Sequence, residues 1–247
     1  MTKFVEITPD KTALIARTQE IVISKINSAI AKKDRCCIAL AGGGTPKPLY
    51  ESLASQDLPW DKIHFFWGDE RYVPEDHSDS NQLMARQALL SPVAIANANI
   101  HPMKTNSNDP KKDAAIHEQE LRDFFEVSAD QFPVFDLILL GIGDDGHTAS
   151  LFPHTDVLKE KEKAISVGNK AGEPRLTFTV PLINQADCVV FLVAGANKQD
   201  ALAQIFNSNG DDMAYPARLI RPQGELWWLL DRSAGKILQD LNIPFSS

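Results

Sequence analysis

Residues 35–53 read Arg-Cys-Cys-Ile-Ala-Leu-Ala-Gly-Gly-Gly-Thr-Pro-Lys-Pro-Leu-Tyr-Glu-Ser-Leu, and this stretch decides the fold. Arg35 to Ala41 is a short apolar run of strand length with no polar alternation. Such a strand must be covered on both faces. Three glycines stop it, and Thr45-Pro46 opens a helix with Leu49, Tyr50 and Leu53 on one side. A doubly buried strand that leads straight into a helix is the building unit of a parallel sheet.

The same unit recurs outward from this stretch. Lys62–Trp67, Phe135–Leu140, Cys188–Ala194 and Glu225–Leu230 are further apolar strands, with shorter candidates at Ala164–Val167 and Leu176–Val180. Helices alternate with them. The first starts at Thr8-Pro9-Asp10, with Pro9 in its first turn, carries Ile15, Val22, Ile26, Ala29 and Ile30 at helical spacing, and ends at Lys32-Lys33-Asp34. Ser80-Asn81 opens a helix through Leu90. Asp109–Val127 is amphipathic, with Ile116, Leu121, Phe124 and Phe125 as its apolar side. Asn197–Phe206 and Ser233–Leu241 complete the set. The pattern predicts a three-layer α/β/α, Rossmann-like fold: a mostly parallel sheet with helices on both faces. With no internal repeat, low-complexity stretch or long linker, residues 1–247 read as one domain.

Composition narrows the function classes. The 247 residues are 43% hydrophobic and 23% charged, which excludes a disordered chain, a collagen-like fibre and a disulfide scaffold. The net charge is −8, so no nucleic-acid partner is expected, and an anionic ligand requires a local cationic cluster. Cys36, Cys37 and Cys188 are odd in number and lie in apolar runs, which suits buried thiols in a reducing compartment. The N-terminus lacks an apolar signal segment and no run is long enough to span a bilayer, so a cytoplasmic protein without a membrane partner is expected. Trp227 and Trp228 suit a core or an interface equally, so the oligomeric state stays open.

In open α/β sheets ligands bind at the carboxyl ends of the strands. Here those ends carry unusual sequence at 42–46, 68–81 and 141–153, and a quieter segment at 195–198. Gly42-Gly43-Gly44-Thr45-Pro46 offers free backbone amides at a helix start, which suits a phosphate, with Thr45 as a cap and hydroxyl donor. Without a Gly-Lys-Ser/Thr ending it is no P-loop. Asp69, Glu70 and Arg71 leave their strand as a charge run, which reads either as a solvated loop or as part of the site. Gly141-Ile-Gly-Asp-Asp-Gly146 matches the dinucleotide pattern literally. Asp144 and Asp145 would face the pyrophosphate, however, and Pro153 interrupts any helix, so that reading fails.

His147 is the informative residue. It follows Asp145-Gly146, and a nearby carboxylate can fix its tautomer and support its cation, as a general base requires. His64, His77, His101, His117 and His154 lack such a setting and read as surface or hydrogen-bonded structural residues. No histidine pair has metal-ligand spacing, so neither metal nor cofactor is expected. No Gly-x-Ser-x-Gly elbow is present, and Ser150 has no base beside it. Arg175 and Lys198 are basic residues in apolar surroundings. Placed at the strand ends they could neutralise a phosphate, the arginine through a bidentate fork.

Together these segments resemble the 6-phosphogluconolactonase family, which shares a superfamily with glucosamine-6-phosphate deaminase. The resemblance rests on residues 41–46, 68–74 with 80–81, and Gly-Ile-Gly-Asp-Asp-Gly-His-Thr-Ala-Ser-Leu-Phe-Pro at 141–153; residues 174–177 and 195–198 match more loosely. It implies hydrolysis of 6-phospho-D-glucono-1,5-lactone to 6-phosphogluconate, in the oxidative pentose phosphate pathway. On that reading Gly43, Gly44, Thr45, Arg175 and Lys198 hold the phosphate, His147 activates water and Asp145 orients it. Arg71 serves the oxyanion or the phosphate, and Asp69 stands where the deaminases have a catalytic carboxylate. The deaminases also carry a glutamate five residues after the histidine, where this chain has Phe152. That departure disfavours a deaminase or isomerase. The chain is also short for a sugar-phosphate sensor with an added DNA-binding segment. The family's first motif more often has serine where this chain has Gly44.

Overall fold

The computed structural model describes residues 1–241. Its nine strands are β1 (Thr2–Thr8), β2 (Cys36–Leu40), β3 (Ile63–Trp67), β4 (Asp69–Arg71), β5 (Leu137–Leu140), β6 (Ile165–Lys170), β7 (Glu173–Phe178), β8 (Cys188–Val193) and β9 (Glu225–Asp231). Its α-helices are α1 (Lys11–Lys33), α2 (Lys47–Ala54), α3 (Asn81–Ala85), α4 (Pro110–Phe125), α5 (Val180–Asn184), α6 (Gln199–Phe206) and α7 (Arg232–Asp240).

Six strands form one sheet in the order β1-β9-β8-β5-β2-β3. Every pairing in it is parallel. Side chains alternate along a strand, so each strand feeds two cores. Cys36, Ile38 and Leu40 of β2 join Leu14 and Ile26 of α1 and Leu49 and Leu53 of α2 on one face. Cys37 and Ala39 join Leu121 of α4, Leu202 of α6 and Leu238 of α7 on the other. The predicted three layers are therefore present. The thiols of Cys36, Cys37 and Cys188 are free and buried, and burial pushes those of Cys37 and Cys188 up to about 12.

The chain runs outward from β2 to β3 in one direction and from β5 through β8 to β9 in the other, and β1, the first strand, closes the edge beside β9. The gap between β2 and β5 is the topological switch point, where a crevice opens at the carboxyl ends. Among the described residues no helix is long and apolar enough to cross a membrane.

Several local expectations need correction. Thr8 ends β1, and Asp10, whose side chain accepts from the Ala13 amide, caps α1; Pro9 lies before the helix. Residues 69–71, 165–170 and 173–178 form a second, antiparallel sheet in the order β4-β7-β6, separate from the parallel one. Val180 starts α5 and does not extend β7. Ile116 is 43% exposed and leaves the expected apolar side of α4; Leu121 is buried and Phe124 and Phe125 pack against the core as expected, joined by the buried Ala114 and His117. A π-helical turn at Arg86–Leu90 continues α3, and a 3-10 turn at Ala196–Lys198 precedes α6. The start of α2 also differs: Pro46 is its N-cap, and no side chain, Thr45 included, caps it.

Candidate active site

All four strand-end segments meet at the switch point. They line a cavity of about 290 Å³, open to solvent, whose wall includes Gly43, Gly44 and Thr45 after β2, Asp69 and Arg71 in β4, His147 after β5, Arg175 in β7 and Lys198 after β8. Asp145, which completes the predicted set, touches His147 from outside that wall.

The segment after β5 builds the imidazole site. Asp145 Oδ1 lies 2.5 Å from His147 Nδ1 and also accepts the His147 amide at 3.1 Å. An ionised carboxylate only accepts, so Nδ1 carries the proton and Nε2 is left as an acceptor. The hydrogen bond from His147 holds the Asp145 carboxyl down at about 2. The loop closes through Gly143 N–H to His147 O at 2.8 Å. A Cβ on Gly143 would stand 2.0 Å from His147 Nδ1, so only glycine lets the ring lie here. Phe152 is buried, its ring centroid 4.6 Å from that of His147, while the Arg175 guanidinium carbon stands 5.7 Å from the Phe152 ring centroid.

The small sheet supplies the cations. Arg71 and Arg175 are register partners across β4 and β7, although 104 positions separate them in sequence. Arg71 donates to the Asp79 carbonyl at 2.6 Å. The Nε atoms of both arginines are buried and have no protein partner. Burial, and then the adjoining Arg71, push the Arg175 guanidinium below its ordinary range. Two guanidinium groups held side by side with unused donors favour an anion between them.

The charge run at 69–71 divides by role. Asp69 is buried; its Oδ2 accepts from Ser150 Oγ at 2.6 Å and its Oδ1 from Asn81 Nδ2 at 3.2 Å. Gly42 makes room for Asn81, because a Cβ there would fall 1.9 Å from Asn81 Oδ1. Glu70 turns inward and accepts from the amides of Arg71, Asn81 and Gln82 at 2.7–2.8 Å. It anchors the 70–82 loop, and burial raises its carboxyl despite those bonds. The solvated-loop reading therefore fails for this run, and Glu70 belongs to the scaffold.

Three contacts had no sequence signal. Lys198 Nζ is paired with Asp144, which also accepts from Asn197 Nδ2 at 2.8 Å. Ser150 has no base in its own segment, yet it donates to Asp69, 81 positions away. Its residue is fully buried, so it supports Asp69 and is not placed as a nucleophile. Among the described residues no cluster of three or more His, Cys, Asp or Glu side chains could hold a metal ion.

Known proteins are similar to this chain along nearly its whole length. The 6-phosphogluconolactonase of Synechocystis sp. is 60% identical over 95% of this chain and 98% of its own length. That of Nostoc sp. is 58% identical with the same coverage. The solved 6-phosphogluconolactonase from Trypanosoma brucei superposes with a TM-score of 0.87 at 30% identity, covering 96% of this chain and 99% of that one. The family model for glucosamine-6-phosphate isomerases/6-phosphogluconolactonase matches residues 9–228, and the chain belongs to that family.

Proposed function

We propose that this protein hydrolyses 6-phospho-D-glucono-1,5-lactone to 6-phospho-D-gluconate, the second step of the oxidative pentose phosphate pathway, as one cytoplasmic domain. The observation that carries the reading is the shared cavity: an imidazole oriented by a carboxylate faces the same space as Arg71, Arg175 and Lys198. His147 Nε2 takes a proton from a water as the water oxygen adds to the lactone carbonyl carbon. The carbonyl oxygen becomes an oxyanion, and Asp145 stabilises the imidazolium that forms. Collapse breaks the bond to the ring oxygen, and the imidazolium returns its proton to that leaving oxygen. The acid then ionises in solution.

Arg71, Arg175 and Lys198, with the amides of Gly43 and Gly44 and the Thr45 hydroxyl, supply positive potential for the phosphate and the developing oxyanion. Asp69 remains an acceptor for a sugar hydroxyl. The deaminase alternative needs a second carboxylate near the histidine, and the position five residues on is filled by the buried Phe152 ring.

The test compares the lactone with and without its 6-phosphate. Expected is a large preference in kcat/KM for the phosphorylated form and no ammonia from glucosamine 6-phosphate. Equal turnover of both lactones, or ammonia release, overturns the assignment.

A further inference from the structure

Lys198 is only 18% exposed at its side chain, and its charge is already matched. Its partner Asp144 is 65% exposed and reaches the ammonium from the segment after β5. Asn197, the residue before Lys198, donates to the same Asp144 oxygen at 2.8 Å. One exposed carboxylate thus closes over a cation that the reading above assigns to the phosphate. The two groups cannot be satisfied independently, because a substrate phosphate arriving at Lys198 brings a dianion against the Asp144 charge. The adjoining residue, Asp145, holds the His147 ring. Adjacent carboxylates therefore hold two different groups that line the cavity, Lys198 and His147.

We propose that Asp144 is an internal competitor for Lys198: it occupies the ammonium in the free protein and is displaced by the phosphate of substrate or product. This rests on Lys198 being a phosphate ligand. Asp144 then acts through Lys198 as a specificity residue: it weakens small anions that make no other contact, and it favours departure of the phosphorylated product. The carboxylate, being exposed, can turn to solvent at little cost when displaced. A buried one could not.

The probes are inorganic phosphate and 6-phosphogluconate, each as a competitive inhibitor of lactone hydrolysis, with the uncatalysed rate subtracted. Asp144→Asn keeps the shape and the acceptor for Asn197 but removes the charge. Both inhibition constants, and KM for the phosphorylated lactone, should fall by about 2- to 5-fold, as expected for an ion pair of this exposure. Asp144→Glu keeps the charge and should restore constants near those of the wild type. In a Lys198→Ala background the Asp144→Asn effect should shrink to what direct repulsion between the carboxylate and the phosphate contributes; an undiminished effect would show that Asp144 does not act through the ammonium and overturns the proposal. Unchanged or larger inhibition constants in Asp144→Asn overturn the proposal; larger ones make Asp144 a support that holds Lys198 ready. If Lys198→Ala alone binds phosphate as well as the wild type does, the phosphate-ligand reading fails first, which is a separate result.

Discussion

His147 and His101 are one residue type in two opposed settings. His147 lines the cavity, its Nδ1 against Asp145. His101 lies on the flank of β3, stacked on Phe66 with ring centroids 4.4 Å apart and tilted against Phe124 at 4.7 Å. Its Nε2 is 3.1 Å from His64 Nδ1. Burial, with His64 and His117 nearby, pushes His101 down to about 4, and burial also lowers His64. A carboxylate neighbour makes an imidazole a working base, whereas an aromatic wall keeps it neutral and structural. Changes in the first region should therefore be read in kinetics, and changes in the second in stability.

The largest effect should come from His147→Asn. Acid-base assistance is worth about 10²–10⁴-fold, so kcat should fall within that range while thermal stability and KM change little. If kcat stays above about a tenth of the wild-type value after correction for uncatalysed hydrolysis, the base lies elsewhere and the contrast between the two histidines collapses.

Glu70 sharpens the contrast, because it stands beside cavity residues yet behaves as scaffold. Glu70→Ala strips three backbone amides and the Ser80 hydroxyl of their acceptor. Unmet buried donors cost about 1–3 kcal/mol each, and water entering the loop recovers part, so a net loss of about 2–4 kcal/mol in unfolding free energy is expected. Denaturant unfolding measures it. Full stability with lost activity would return Glu70 to the chemistry.

Lys198→Ala should follow. A charge-assisted contact is worth about 1.5–3 kcal/mol, so kcat/KM for the phosphorylated lactone should fall about 10- to 150-fold. Turnover of the lactone without phosphate should hardly change. Equal losses on both substrates would mean that the lysine serves the reacting carbon and not the phosphate.

These contrasts differ in how far they can be read from sequence. The parallel sheet was legible because β2, β5 and β8 are apolar throughout and reach a glycine within two residues of their ends. The contact of Asp145 with His147 was legible because only Gly146 separates them in sequence. β1 was not, because it is an edge strand of mixed Lys, Glu and apolar residues with one neighbour. The Asp69-Glu70-Arg71 triplet read equally as a solvated loop or as part of the site, since its strand character comes only from pairing with Arg175, Leu176 and Thr177. Lys198–Asp144, Ser150–Asp69 and His64–His101 join positions 54, 81 and 37 apart, and no local rule relates such residues before the chain is folded. The lone histidines could be judged structural, but not that two of them meet.

That meeting gives the smallest expected effect. An unfolded histidine titrates near 6.5. Folded His101 titrates at about 4, so between these values the unfolded chain holds more protons. Stability then rises with pH across the window, and is lost as pH falls through about 6.5 toward 4. The groups that face the ring are His64, His117 and Glu120, with Arg35 acting on His64. Glu120 is held at about 2 by its bond from His117, so it stays ionised and opposes the loss only in part. His101 is half-buried, so solvent screens its charge and the contribution should be about 1 kcal/mol. His101→Gln can still hydrogen-bond His64 but cannot take up the proton. Unfolding midpoints at pH 7 and pH 5 should therefore lie closer together in this variant than in the wild type, with kcat/KM at pH 7 the same in both. Parallel losses in the two proteins would place the acid-sensitive group elsewhere. A lower kcat/KM in the variant would show that the aromatic flank of β3 reaches the cavity after all.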